Sequence, residues 1–129
     1  KDLARECVRF DEIIQQLGGI DLQLLGIGNN GHIGFNEPGE YFQAGTHVES
    51  LTPETIAANS RFFELPSRVP QRAITMGMGG IMKAHKVLLI AEGSAKMEII
   101  ARAMEGPVTP HVPASILQLH PDCTVIVSS

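Results

Sequence analysis

Residues 20–39 read IDLQLLGIGNNGHIGFNEPG, and this stretch decides how the whole chain is interpreted. Its first six residues are mostly apolar and suit a buried strand, and the glycines that follow mark the point where the strand ends and the chain turns. In open α/β sheets, ligands bind just outside the carboxyl ends of the strands. Because His32 and Glu37 lie on this loop, the sequence predicts a titratable base and a carboxylate where such sheets hold their ligands.

The glycines of this loop have two interpretations. We expect Gly26, Gly28 and Gly31 to adopt positive φ angles and to let a ligand approach the backbone closely. Residues 26–31 also match the dinucleotide-binding pattern G-x-G-x-x-G. That pattern requires a helix directly after the glycines, and the sequence FNEPG at 35–39 would break such a helix within a turn. Binding of a nicotinamide dinucleotide is therefore disfavoured.

The composition is that of a soluble globular domain. The 129 residues are 43% hydrophobic and 19% charged, with a formal net charge of −4, which suits one domain with its own core. The basic residues are scattered, so neither a nucleic-acid footprint nor a polybasic membrane patch is present, and no apolar run reaches the ~20 residues of a membrane span. Cys7 and Cys123 fit buried free thiols in a reducing compartment. We expect a cytoplasmic protein whose partners are small molecules.

Strand-like and helix-like segments alternate along the chain. Strand patterns occupy residues 20–25, 46–51, 72–76, 86–91 and 123–127, and helical patterns occupy residues 3–17, 53–62, 81–84, 94–105 and 112–119. Residues 35–45 have no periodicity and predict a long loop of the kind that covers a site. The alternation predicts an α/β fold of Rossmann-like type, with a mostly parallel sheet and helices on both faces.

Each candidate site residue also has a plain structural interpretation. On a curled loop, Glu37 could hold one ring nitrogen of His32 while the other meets substrate, or the histidine could satisfy only a local hydrogen bond. At residues 93–96, free amide groups and Lys96 could hold a phosphate, or the serine there could simply cap a helix. Arg61 alone indicates no more than a solvated charge. The histidines lack metal-ligand spacing and no G-x-S-x-G motif occurs, so neither a metal nor a serine nucleophile is predicted.

Taken together, these motifs resemble the glucosamine-6-phosphate deaminase family, also called the glucosamine-6-phosphate isomerases. The resemblance runs nearly end to end and rests on LGIG at 25–28, NGHIGFNEPG at 30–39, LTPET at 51–55, NSRFF at 59–63, AITMG at 73–77, GSAK at 93–96 and SILQLHP at 115–121. The phrase GHIGFNEP is the most specific of these. Related 6-phosphogluconolactonases share the fold and a glycine-histidine loop, but the residues after their histidine differ.

The resemblance implies conversion of glucosamine 6-phosphate and water into fructose 6-phosphate and ammonia, through ring opening, isomerisation and loss of the amine, without a redox cofactor. His32 would take and return the proton for ring opening, and Glu37 would hold its imidazole in the working tautomer. Asn30 stands where many family members carry aspartate, and it would orient the same ring by hydrogen bonding.

The resemblance also assigns residues to the substrate. Arg61 and Lys96 match cationic positions that the family uses on the sugar phosphate. Gly28 is expected to lie on the substrate side of the loop, where its backbone can approach the ligand.

The resemblance further implies that the chain is the second half of a longer domain. The family's enolisation base and its phosphate-gripping loop precede the helix that begins at Leu3, so we expect the isolated chain to be inactive or nearly so. Its sheet should expose an edge for the missing amino-terminal half. An oligomer is compatible with the resemblance, since family members range from monomers to hexamers.

Two other functions are considered, a 6-phosphogluconolactonase-like hydrolase and a non-catalytic regulatory module that binds sugar phosphates. A pure sensor has no need of an oriented base, so the joint presence of His32 and Glu37 favours the enzyme.

Overall fold

A computed structural model describes residues 2–129 as nine regular elements and four short 3-10 helices. The elements in chain order are α1 (Leu3–Gln16), β1 (Leu22–Leu25), β2 (His47–Ser50), α2 (Pro53–Asn59), β3 (Arg72–Thr75), α3 (Met78–Lys83), β4 (Lys86–Glu92), α4 (Met97–Glu105) and β5 (Cys123–Ser128). The 3-10 helices are Ser60–Phe62, Pro66–Arg68, Ser94–Lys96 and Pro113–Leu119.

Local chemistry sets the helix ends near the site. The side chain of Thr52 accepts a hydrogen bond from the Thr55 amide, and Pro53 occupies the first turn of α2. A threonine cap followed by proline is a strong helix start. The threonine oxygen accepts from an amide of the first turn that has no partner within the helix, and proline has a suitable φ angle and no N–H group that needs a partner. The predicted start of α2 is therefore confirmed. Helix α1 ends before Gly18, which adopts a φ of +90°, as a C-terminal glycine stop does.

Strands β1, β4 and β5 form a parallel sheet in the order β1-β4-β5. This confirms the predicted α/β fold with a parallel sheet flanked by helices. Strands β2 and β3 instead pair with each other in an antiparallel ribbon, with His47 opposite Thr75 and Ser50 opposite Arg72. Element order alone does not predict this ribbon, because strand pairing depends on which strand edges the tertiary fold brings together.

The core lies on one face of the parallel sheet. Val87, Leu89 and Ala91 of β4 point into it and are almost fully buried. The opposite face carries Leu22, Leu24 and Ile90, which are 57%, 60% and 44% exposed. Parallel sheets normally have both faces covered. Within residues 2–129, this second face is apolar and largely open.

Both cysteines are free thiols, and Cys7 is buried as predicted, whereas Cys123 is only half-buried. In the described part of the chain, no helix has the length and apolar character required to cross a membrane.

Candidate active site

The loop after β1 folds back so that the His32 ring rests on Gly28. The Gly28 amide donates to the His32 carbonyl oxygen at 2.9 Å, and the Gly31 amide donates to the Gly28 carbonyl oxygen at 2.9 Å. A Cβ atom added to Gly28 would lie 2.2 Å from Cε1 of His32. The glycine is therefore required at position 28 to make room for the imidazole.

The backbone angles correct part of the prediction for this loop. Gly31 has a φ of +92°, as predicted, but Gly26 and Gly28 do not adopt positive φ. Gly28 serves the loop through its missing side chain rather than through an unusual backbone angle, because the space beside its Cα is filled by the histidine ring.

Two oxygen acceptors hold one nitrogen of the His32 ring. Nδ1 lies 2.8 Å from Oδ1 of Asn30 and 3.1 Å from Oε1 of Glu37. Because both partners are acceptors, the neutral ring carries its proton on Nδ1, and Nε2 keeps a free lone pair. Nε2 has no hydrogen-bond partner in residues 2–129. Every buried side-chain nitrogen or oxygen among these residues does have a partner, so Nε2 is not one of the buried atoms. Nε2 is therefore open to solvent.

The orientation of the Asn30 amide follows from its other contacts. Its Nδ2 donates to Oε1 of Glu37 at 3.1 Å and to Oγ1 of Thr52 at 3.2 Å. The nitrogen must face these acceptors, so the amide oxygen faces His32. Glu37 is held on its other side, since the Thr52 amide donates to Oε2 at 2.7 Å. The predicted grouping of His32, Glu37 and Asn30 is thus present as one connected network.

The surroundings set the charge of both titratable groups. Burial raises the pKa of the Glu37 carboxyl, but hydrogen bonds from Thr52, Thr55 and Asn30 outweigh burial and bring the pKa below its ordinary value. Burial lowers the pKa of His32, the nearby Lys96 lowers it further, and the negative charge of Glu37 opposes them only in part. At neutral pH the pair is an ionised carboxylate beside a neutral imidazole, which is the state that a general base requires.

Two cations lie beside the same cleft. Lys96 follows β4 and its Nζ donates to the Ile27 carbonyl oxygen at 2.7 Å, which links the carboxyl ends of two neighbouring strands. Arg61 lies at the rim, where its guanidinium donates to the Ala58 carbonyl oxygen at 3.2 Å and stacks 4.5 Å from the centre of the Phe62 ring. Burial and the charge of Arg61 lower the pKa of Lys96. Such paired positive charges favour an anion between them.

The cleft has a volume of about 540 Å³, and five of the six predicted site residues line it. These are Gly28, Asn30, His32, Arg61 and Lys96. Glu37 does not line the cleft; its side chain is only 4% exposed and lies behind the histidine. Glu37 therefore contacts His32 and is not exposed to the cleft.

The loop predicted to cover the site has a different position. Phe35 lines the cleft and its ring stacks on that of His32, with 5.9 Å between ring centres. Residues 36–43 instead line a smaller cavity of about 210 Å³ on the far side of Glu37. Asn36 anchors this part of the loop, because its side-chain amide donates to the carbonyl oxygens of Ile33 and Met76 at 3.0 and 2.8 Å.

Sequence reasoning missed the two threonines of LTPET as site residues. Thr55 is buried, lines the cleft, and places its hydroxyl 3.4 Å from Nδ1 of His32. Thr52 contacts both Asn30 and Glu37. The start of α2 was visible in the sequence as a threonine cap before proline, but its contact with the glycine loop was not, because the two segments are about 20 residues apart.

No group of three or more His, Cys, Asp or Glu side chains that could hold a metal ion occurs among the residues from Asp2 onward. His120 serves the core instead, since its Nε2 lies 2.8 Å from the Ala84 carbonyl oxygen and its Nδ1 accepts from the Asp122 amide. At residues 93–96, the cap positions of the 3-10 helix and of α4 are occupied by Gly93 and Lys96, so the interpretation of Ser94 as a helix cap was wrong.

Comparison with known proteins extends these observations. The family model for glucosamine-6-phosphate isomerases/6-phosphogluconolactonase matches residues 1–126. The glucosamine-6-phosphate deaminase of Lachnoclostridium phytofermentans is 63% identical over 125 residues, which cover 97% of this chain and 53% of that protein. The corresponding protein of Clostridium perfringens strain 13 is 53% identical over 127 residues, 98% of this chain and 52% of its own length. The chain thus spans about half the length of these curated relatives.

Solved structures give the same result. A monomeric glucosamine-6-phosphate deaminase superposes with a TM-score of 0.95 at 44% identity, over 99% of this chain and 53% of that chain. A 6-phosphogluconolactonase from Thermotoga maritima superposes with a TM-score of 0.68 at 16% identity, over 100% of this chain and 53% of that chain, which shows a shared fold alone. The family match over residues 1–126, together with the motif-bearing loop that the fold places at the sheet edge, establishes that the chain belongs to the family of glucosamine-6-phosphate isomerases and 6-phosphogluconolactonases.

Proposed function

We propose that the protein containing these 129 residues is a glucosamine-6-phosphate deaminase. It converts glucosamine 6-phosphate and water into fructose 6-phosphate and ammonia. The observation that carries the proposal is the His32 ring, whose Nδ1 is held by Asn30 and Glu37 while Nε2 is free at a cleft with two cations. The names of the 63% and 53% identical relatives support the same reaction.

The free Nε2 suits the ring-opening step. A base takes the proton of the anomeric hydroxyl as the bond between the anomeric carbon and the ring oxygen breaks, and the same proton is returned to that ring oxygen. The products are an aldehyde and a hydroxyl, so one base that accepts and then donates a proton is sufficient. A neutral His32 with an ionised Glu37 behind it can do both, because the carboxylate stabilises the transient imidazolium.

Arg61 and Lys96 are proposed to bind the phosphate. A phosphate monoester carries about −1.5 to −2 charges near pH 7, which two cations at one cleft can neutralise. The lowered pKa of Lys96 reflects burial and the charge of Arg61, and a bound dianion would relieve this repulsion. Gly28 is proposed to face the sugar, since it lines the cleft directly beneath the His32 ring.

The amino-terminal half of the domain is proposed as the partner of the open sheet face. The relatives are about twice as long as this chain, and Leu22, Leu24 and Ile90 present an apolar surface that a packed helix would bury. That half would also supply the enolisation base. The isolated chain is then inactive, and the cytoplasmic location predicted from the composition stays a prediction.

The test replaces His32 by glutamine in the full-length protein and measures ammonia and fructose 6-phosphate formed from glucosamine 6-phosphate. Turnover should fall by about 10²- to 10⁴-fold, the usual contribution of a general base, while sugar-phosphate binding measured by calorimetry is retained. His85→Gln is the matched control, because His85 is exposed and distant from the cleft residues.

Three results would contradict the proposal. Unchanged turnover in the glutamine variant would remove His32 from the mechanism. Hydrolysis of 6-phosphogluconolactone without deamination would indicate the hydrolase. Binding of sugar phosphates by the unmodified full-length protein without any turnover would indicate a regulatory module.

A further inference from the structure

Thr52 does not line the cleft, but it hydrogen-bonds two members of the His32 network. Its amide donates to Oε2 of Glu37 at 2.7 Å, and its hydroxyl oxygen accepts from Nδ2 of Asn30 at 3.2 Å. The same oxygen accepts from the Thr55 amide at 3.2 Å, which caps α2. One residue therefore touches both groups that hold Nδ1 of His32.

The directions of these hydrogen bonds are determined by what each group can donate. The Thr52 oxygen receives two N–H groups, which use both of its lone pairs, and so its own proton goes to Oγ1 of Thr55 at 3.1 Å. Thr55 in turn helps to lower the pKa of the Glu37 carboxyl, and its hydroxyl oxygen lies 3.4 Å from Nδ1 of His32. The Thr52 hydroxyl therefore donates to Thr55 and can only accept from Asn30.

This ordering leaves the Asn30 amide one favourable orientation. A flipped amide would place its oxygen against Oε1 of Glu37 and against a Thr52 oxygen whose proton is already used. It would also place an N–H donor against the backbone N–H and the Nδ1 of His32, which lie 3.2 and 2.8 Å from the Asn30 oxygen. Both contacts would be unfavourable, because an acceptor would face an acceptor and a donor would face a donor.

We propose that Thr52 is a positioning residue for the deaminase reaction, and that its hydroxyl acts with Glu37 and the His32 backbone amide to hold the Asn30 amide, so that the proton of His32 stays on Nδ1 and the Nε2 lone pair stays in the cleft. The consequence for catalysis rests on the proposed function, whereas the tautomer of His32 does not. Because Thr52 also begins α2, which leads to Arg61 at the cleft rim, the same residue connects the orientation of the base with one wall of the cleft.

The test uses three substitutions at position 52 in the full-length protein. Thr52→Val keeps the amide and the branched shape but removes the hydroxyl, and Thr52→Ser restores the hydroxyl. Thr52→Gly also removes the hydroxyl, and it serves if the valine variant does not fold, because glycine is nearly as good as threonine at a helix start. Asp2→Ala is the matched control, since Asp2 caps α1 in the same manner but lies away from the cleft.

Two readouts are combined, the ring ¹⁵N NMR signals of His32 in the substrate-free protein and the steady-state kinetics. We expect the valine or glycine variant to show a mixture of Nδ1-protonated and Nε2-protonated imidazole. Its kcat should fall by about 10- to 100-fold, as expected for a displaced base, with little change in KM. The serine variant and the Asp2→Ala variant should keep a single tautomer.

Retention of a single Nδ1-protonated tautomer and of kcat in the valine or glycine variant would overturn the proposal. The proposal would also be overturned if the valine or glycine variant lost as much thermal stability as Asp2→Ala but showed unchanged His32 signals. Thr52 would then act only as a helix cap. If the unmodified protein has no deaminase activity and the variants still shift the tautomer, the positioning role stands and the proposed function fails.

Discussion

Replacing Gly28 by alanine should displace the proposed base without removing any charged group. The new Cβ atom would lie 2.2, 2.4 and 2.7 Å from Cε1, Nδ1 and Nε2 of His32, whereas ordinary contacts begin at 3.4 Å. The ring must therefore move by about 1.2 Å, the difference between 3.4 and 2.2 Å. The backbone cannot easily shift to relieve this contact, because the Gly28 amide is hydrogen-bonded to the His32 carbonyl oxygen.

This displacement sets the size of the expected effect. Nδ1 lies 2.8 Å from Oδ1 of Asn30, so a shift of that size away from Asn30 carries the pair beyond hydrogen-bond distance. A misplacement of about 1 Å costs roughly 10²-fold in rate, which corresponds to about 2.7 kcal/mol of transition-state stabilisation. We therefore expect kcat/KM of the Gly28→Ala variant to fall about 100-fold.

The assay is ammonia release from glucosamine 6-phosphate by the full-length protein, with thermal unfolding measured in parallel. Gly39→Ala is the control on the same loop, since its added Cβ would meet nothing nearer than the Glu37 carbonyl oxygen at 3.9 Å. The control should keep its activity. A folded Gly28→Ala protein with kcat/KM within about threefold of the unmodified protein would refute the reasoning.

Other predictions concern charge and completeness. Because burial lowers the pKa of His32, NMR titration of the substrate-free full-length protein should place its midpoint below the ordinary value of 6.5, and a midpoint above it would contradict the environment described. Asn30→Asp should raise that midpoint, since it places a negative charge where Oδ1 lies 2.8 Å from Nδ1; an unchanged midpoint would argue against the contact. His32 and Glu37 both have lowered pKa values in the folded state. Their contribution to the free energy of unfolding should therefore be complete above pH 6.5 and decline as the pH falls. In urea unfolding, the free energy of the His32→Gln variant should depend less on pH just below pH 6.5. Residues 1–129 alone should release no measurable ammonia, and an ordinary rate from this chain would show that the amino-terminal half of the domain is not required.

Much of the fold could be predicted because its signals are local. The threonine and proline at the start of α2 and the glycine after α1 act within one turn of chain, and their effects appear as expected. The parallel sheet follows from alternating strands and helices. The separate β2–β3 ribbon could not be predicted in this way, because neither four-residue strand carries a pattern that selects its partner.

The sequence by itself determined which chemistry is available and on which loop it lies. The histidine, the glutamate and the glycines of residues 26–39 are contiguous, so their common position at the end of a strand follows from periodicity and turn-forming residues alone. The positive φ expected of Gly26 and Gly28 was wrong, since a glycine pattern does not say whether glycine is needed for its backbone angle or for its missing side chain.

Only the tertiary structure decided how these groups act on one another. It placed Glu37 behind His32 instead of in the cleft, and it brought Thr52 from a distant segment against Asn30. The contact between Thr52 and Asn30 joins residues 22 positions apart, so it depends on packing between elements rather than on any local pattern. Asn30 and Glu37 of the same loop were predicted to orient His32, but only the fold shows that they hold Nδ1 and that Thr52 contacts both of them.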